Sequence, residues 1–193
     1  MGERGVRAVF LTGRPGVGKT TVLLKAVELL KSLGARVGGM VSQEVREEGV
    51  RVGFELIDIS TGQKGWLAHV RQREGPKLGK YRVNISDLDR IGVRAILKAV
   101  EEADIVVVDE VGPMELFSER FREAVKLALR SGKPIIGTIH WRARGPLLDE
   151  IRRSPFVKVI TVRPANRDEL PGLIADELRP LLKTSGGESE NGG

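Results

Sequence analysis

The stretch Val6-Arg7-Ala8-Val9-Phe10-Leu11-Thr12-Gly13-Arg14-Pro15-Gly16-Val17-Gly18-Lys19-Thr20 decides the fold. Its second half, Gly13 to Thr20, matches G-x-x-x-x-G-K-[ST], the phosphate-binding loop. Both flanks suit that reading. Val6 to Leu11, apolar but for Arg7, is a short run of the kind that forms a buried strand. Thr21 to Leu33 carries Val22, Leu23, Ala26, Val27, Leu29 and Leu30 at helical spacing. Glycines let the backbone approach a polyphosphate, because a Cβ would obstruct it or forbid the positive φ. The helix start aims unpaired N–H groups at the anion. Within Gly13, Arg14, Pro15, Gly16, Val17, Gly18, Lys19 and Thr20, Lys19 is expected to reach the β- and γ-phosphates. The Thr20 hydroxyl is expected to ligate Mg²⁺.

A second stretch supplies the acid. Ile105-Val106-Val107-Val108 is apolar throughout and runs into Asp109-Glu110-Val111-Gly112. Apolar runs of this kind suit central parallel strands covered on both faces. Asp109 at the strand end is expected to hold Mg²⁺, a hard cation that takes oxygen ligands. Val108 to Gly112 as a whole is expected to border the nucleotide. Glu110, read alone, could equally be a salt-bridged glutamate. Beside Lys19 and Asp109 it reads as the general base that deprotonates water for attack on the γ-phosphate.

Further candidates follow the next apolar strand, Pro134 to Ile139. Thr138 could hydrogen-bond the γ-phosphate or the attacking water. His140 could do the same or only pack at the strand end. Arg142 and Arg144 could act as an internal arginine finger or lie on a solvated loop. Glu44 and His140 are alternative bases. Asn166 could lie near the nucleobase, but with Glu169 three residues on it reads better as a cap of the last helix.

The remaining pattern alternates strands with helices, which implies an α/β fold with a mainly parallel sheet flanked by helices. Val50, Val52, Phe54 and Leu56 alternate with Arg51, Gly53 and Glu55. With the strand expected over 35–45 and its return over 65–70, they read as an antiparallel meander added to the core. Ser86 could cap a helix running to about Glu102. Ligands in such folds bind beyond the carboxyl ends of the strands. The phosphate loop, Asp109-Glu110 and Thr138 to His140 should therefore converge. Residues 1–183 read as one domain and the small polar stretch 184–193 as a disordered tail.

Composition narrows the class. The 193 residues contain no cysteine, which removes disulfides and thiolate metal sites. No apolar stretch suggests a membrane span or a signal core, so a cytoplasmic protein is expected. Asparagine and glutamine are confined to Asn84, Asn166, Asn191, Gln43, Gln63 and Gln72. Few labile amides and many charges suggest a thermophile source. The net charge of +6 raises a nucleic-acid partner. With no run of five like charges, a solvated basic surface is the favoured reading.

Taken together, Gly13 to Thr20, Glu44-Val45-Arg46 with Arg51-Val52-Gly53-Phe54, Leu78-Gly79-Lys80-Tyr81, and Asp109-Glu110-Val111-Gly112 with Met114-Glu115-Leu116 resemble a known family. It is the small P-loop nucleoside-triphosphatases found in thermophiles, which have a vertebrate cancer-related relative. The resemblance spans about residues 6 to 180. Pro113 departs from it, standing where the family is expected to carry lysine. The resemblance implies a RecA-like sheet with an extra strand between the two motif strands. It also implies slow Mg²⁺-dependent hydrolysis of ATP, GTP, CTP and UTP with little base preference.

Two other classes stay open on the residues. A nucleotide or nucleoside kinase would use Arg71 to Lys80 or Arg142 to Gly145 as a lid. A nucleic-acid-associated ATPase module would use the basic surface. A regulatory GTP switch is disfavoured, because Asn166-Arg167-Asp168-Glu169 is not the guanine-reading N-K-x-D.

Overall fold

The computed structural model describes residues 5–182. The stretch 184–193, expected to be a disordered tail, lies outside them. Nine strands form one sheet in the order β5-β6-β4-β3-β2-β7-β8-β1-β9. They are β1 Ala8–Thr12, β2 Val37–Glu47, β3 Val50–Asp58, β4 Lys64–His69, β5 Lys77–Leu78, β6 Tyr81–Val83, β7 Ile105–Val111, β8 Ile135–Ile139 and β9 Val157–Thr161. From β2 through β9 every pairing is parallel. From β2 outward to β5 every pairing is antiparallel. The fold is therefore a mixed α/β P-loop architecture with a parallel core and an antiparallel extension. β8 stands between the two motif strands β1 and β7.

The two halves share one long strand. Val37 to Met40 pairs with β7, and Met40 to Glu47 pairs with β3. β2 thus outlasts its parallel neighbour and carries the meander past the carboxyl edge of the core. The segment 71–80, which a kinase would use as a lid, contains the short strand β5 paired with β6.

The helices α1 Lys19–Ser32, α2 Ile85–Asp87, α3 Arg94–Glu102, α4 Glu119–Arg130, α5 Pro146–Arg153 and α6 Leu170–Leu178 cover both faces. Strand alternation decides which side chains meet which helices. Val9, Leu11, Val107 and Ile136 pack with Leu23, Leu30 and Ile174 under α1 and α6. Phe10, Val106 and Val108 pack with Ile96, Phe121 and Leu148 under α3, α4 and α5. Between α2 and α3 the chain takes a π-helical course over Leu88–Val93. Asn84, not Ser86, caps this region, its side chain accepting from the Asp87 N–H at 3.0 Å. Asparagine is as good a cap as serine, and using it starts the helix earlier. No helix among the described residues is long and apolar enough to cross a membrane.

Gly137 on β8 lies beside Phe10 on β1 in register. A Cβ there would stand 2.5 Å from the Phe10 ring and 2.8 Å from the Val108 carbonyl oxygen. The glycine makes room for the largest side chain in the central strands. Gly137→Ala is therefore expected to lower unfolding stability by about 1–3 kcal/mol through overpacking. Urea titration checks it, and an unchanged midpoint would mean that Phe10 can move at no cost.

Candidate active site

The phosphate loop joins β1 to α1. Gly13 has φ +150°, and a Cβ on it would sit 2.9 Å from the Val162 carbonyl oxygen. Both conformation and space therefore demand glycine. Gly18 caps α1 with φ +104° and no side-chain hydrogen bond, and the first turn holds no acidic residue. The N–H groups that open α1 are left for an anion. Arg14, Pro15 and Gly16 are exposed, and Val17 to Thr20 are half-buried. Lys19 folds back over the loop and donates from Nζ to the Gly13 carbonyl at 3.3 Å.

Alternation brings the acid to this loop. Val107 and Ile136 point toward α1, so Asp109 and Thr138, two residues on, point the same way. The Thr20 hydroxyl donates to Asp109 Oδ2 at 2.9 Å. The Thr138 hydroxyl donates to the other oxygen of the same carboxylate. Asp109 and Thr138 are both buried. Thr138 thus holds the aspartate, and its hydroxyl proton is directed at that carboxylate. That role was legible in the period-two pattern through Ile136.

Glu110 lies beside Lys19, with Oε2 3.8 Å from Nζ, and keeps 24% of its side chain exposed. Burial raises its pKa, while the Lys19 charge acts in the opposite direction. Burial pushes the Asp109 carboxyl up to about 6, and the hydroxyl donors and Lys19 only partly offset this. Val108 and Val111 are core residues, fully buried, so they carry the carboxylates and present no side chain to a ligand. Gly112 is buried behind Glu110.

The β8 exit completes the edge. The His140 N–H donates to the Val111 carbonyl at 3.2 Å. Its Nδ1 accepts from the Arg142 and Ala143 N–H groups at 3.3 and 3.1 Å, so the ring proton sits on Nε2. Burial, Lys19 and Arg142 all lower its pKa, which keeps it neutral. Arg152 on α5 donates to the His140 and Ala143 carbonyls at 3.5 and 3.2 Å and ties this loop down. Arg142 and Arg144 are exposed, Arg142 lying 4.1 Å over the Trp141 ring.

Two candidates fall outside the cluster. Glu44 sits on β2 four residues past its last pairing with β7, bound to Arg46 at 2.5 Å and Arg51 at 2.9 Å. The long β2 strand carries it into the meander. Asn166 does not cap α6, whose cap is Glu169. Its side chain instead closes a turn, accepting from the Arg163 N–H at 2.8 Å and donating to the Thr161 carbonyl at 3.0 Å. One residue unremarked by charge pattern alone, Glu115, is buried close behind Glu110.

A protein-family model described as NTPase matches residues 8–175. Nucleoside-triphosphatase THEP1 of Thermofilum pendens is 52% identical over 175 residues, 90% of this chain and 96% of that protein. THEP1 of Pyrococcus abyssi is 39% identical over 184 residues, 95% and 97% of the two chains. The crystal structure of THEP1 from the hyperthermophile Aquifex aeolicus aligns with a TM-score of 0.79 at 33% identity, covering 89% of this chain and 98% of that one. The solution structure of a human cancer-related nucleoside triphosphatase aligns with a TM-score of 0.73 at 36% identity, covering 94% and 100%.

The buried aspartate has a thermodynamic signature. A carboxyl that holds its proton more tightly folded than unfolded makes the fold lose stability as pH rises. For Asp109 that loss runs from the ordinary carboxyl range near ~4 up to about 6. Asp109→Asn is therefore expected to stabilise the metal-free protein at pH 8, by an amount on the order of 2 kcal/mol. Urea unfolding in chelator at pH 8 measures it. A variant no more stable than the parent would mean that the carboxylate is not penalised by burial.

Proposed function

The chain belongs to the THEP1 family of nucleoside-triphosphatases, and we propose that it hydrolyses ATP, GTP, CTP and UTP with Mg²⁺ and little regard for the base. The observation that carries this reading is the convergence of Lys19, Thr20, Asp109 and Glu110 on the phosphate loop at the carboxyl edge of the sheet.

The residues fit a divalent cation. Thr20 and Asp109 present two hard oxygens 2.9 Å apart, and Asp109 is a buried carboxylate whose charge the surrounding groups do not fully balance. Thr20 and Asp109 would hold Mg²⁺, which neutralises phosphate charge when bound. Thr138 fixes the rotamer of Asp109 from the opposite oxygen.

The chain's own groups do the rest. The loop N–H groups and Lys19 bind the phosphate tail. Lys19 lets go of Gly13 and Glu110 to do so. Glu110 is partly exposed, so water can reach it, and it takes the proton as the water oxygen bonds to the γ-phosphorus. The β–γ anhydride bond breaks and the nucleoside diphosphate leaves. Neutral His140 has an Nε2–H to donate at the same edge. Nothing in this set touches a base, and the Asn166 side chain is already committed to its own turn.

Release of free phosphate from MgATP without any added acceptor separates hydrolysis from kinase activity. Glu110→Gln is expected to lower kcat by about 10²–10⁴-fold and leave nucleotide affinity nearly unchanged. Normal turnover would move the base elsewhere, and a matching loss of affinity would place Glu110 in the metal shell. Competition among the four ribonucleoside triphosphates should give kcat/KM values within about a hundredfold, roughly 2.7 kcal/mol. A wider spread would reveal a base-reading pocket.

A further inference from the structure

After β7 the chain turns sharply at Gly112-Pro113-Met114 into a 3₁₀ turn, Glu115–Phe117. Proline suits the first position of such a turn. The Leu116 N–H donates to the Gly112 carbonyl at 3.0 Å, and the Ser118 N–H donates to the Glu115 carbonyl at 3.0 Å. Arg122 on α4 donates to the Leu116 carbonyl at 2.5 Å, and the Ser118 hydroxyl donates to Asp89 at 2.5 Å. The turn is held from several sides, and it folds Glu115 back under the strand it has just left. A Cβ on Gly112 would stand 2.7 Å from Glu110 Oε1 and 3.0 Å from Glu115 Oε2. The two carboxyl groups therefore converge on one glycine, with Glu110 toward solvent and Glu115 buried behind it.

We propose that Glu115 is a positioning residue for hydrolysis, its carboxyl group backing the Glu110 carboxylate across Gly112 and fixing the direction in which that base faces water. The proposal rests on Glu110 being the base. Burial of one carboxyl group close to a second disfavours its charged form. Burial, and then the charges of Glu110 and Asp109, raise the Glu115 pKa well above its ordinary value, against hydrogen bonds from the backbone N–H groups of Glu115 and Gly112. Buried on the side of Glu110 away from solvent, this carboxyl group can steady the base without meeting the attacking water. Gly112 is the spacer, since any side chain there would enter the gap.

The experiment is steady-state phosphate release from MgATP by the full chain, with nucleotide affinity measured in parallel on Glu115→Leu, Glu115→Gln, Gly112→Ala and Glu110→Gln. Glu115→Leu should lower kcat at least about tenfold with KM within about twofold, because the group acts on the base and not on binding. Glu115→Gln, of the same shape and still polar, should restore most of that turnover. In the Glu110→Gln background, Glu115→Leu should cost nothing further, since a residue acting through Glu110 has nothing left to position. Gly112→Ala keeps the test open if Glu115→Leu does not fold. The nearest atoms to its added Cβ belong to the Glu110 and Glu115 side chains and none to the backbone, so it should fold, lose kcat and likewise add nothing to Glu110→Gln. Normal kcat in Glu115→Leu and Gly112→Ala, equal damage in Glu115→Gln and Glu115→Leu, or full additivity with Glu110→Gln would each overturn the proposal. If Glu110→Gln itself turned over normally, the base assignment would fail first and this inference with it. An impaired Glu110→Gln beside an unaffected Glu115→Leu would overturn the inference alone.

Discussion

The carboxylate of Asp109, held at one oxygen by Thr20 and at the other by Thr138, is the constraint around which the site is arranged. It ties β7, β8 and the first turn of α1 to one another at the carboxyl edge. Each partner comes from a different part of the chain, 89 and 29 residues away. Removing either hydroxyl would leave a buried charged oxygen without its donor, which is far more costly than losing a neutral surface hydrogen bond. The three elements are therefore fixed relative to the phosphate loop before any nucleotide arrives.

That rigidity costs stability. Asp109, Glu110 and Glu115 all have raised pKa values, with burial the first cause in each case. A packed α/β core can tolerate this. Val106, Val107 and Val108 are wholly buried on the two faces of β7, and the strand is paired on both sides. Under the proposed function, acidic groups concentrated at the place assigned to a cation and a polyphosphate store a free energy that binding would release. The neutral state of His140 follows the same logic with the opposite sign, since Lys19 and Arg142 already supply positive charge there.

The antiparallel extension stands apart from this chemistry. It grows from β2, whose outer half leaves β7 behind, and its Glu44 is engaged with Arg46 and Arg51. Arg51 also donates to the Tyr81 hydroxyl at 2.8 Å, which links β3 to β6. The charges of the meander thus serve mainly to hold its own strands together.

The family resemblance implied a strand between the two motif strands, and the residues by themselves determined the phosphate loop, the acidic strand end and the α/β class. These follow from local rules: glycine conformations, apolar runs that fit only a covered parallel strand, and helical spacing after Lys19. The sequence also allowed Thr138 to be paired with Asp109, had the alternation through Ile136 been followed. Only the tertiary structure decided which of the remaining polar residues meet. Glu44 leaves the site because β2 runs on past its neighbour, a matter of register. Asn166 closes a turn because the Arg163 N–H and the Thr161 carbonyl lie within its reach. Glu115 comes back beneath Glu110 because the turn after Gly112 reverses the chain. Such contacts depend on where the backbone turns in three dimensions, and a short polar side chain reaches only what the turn brings within about 3 Å.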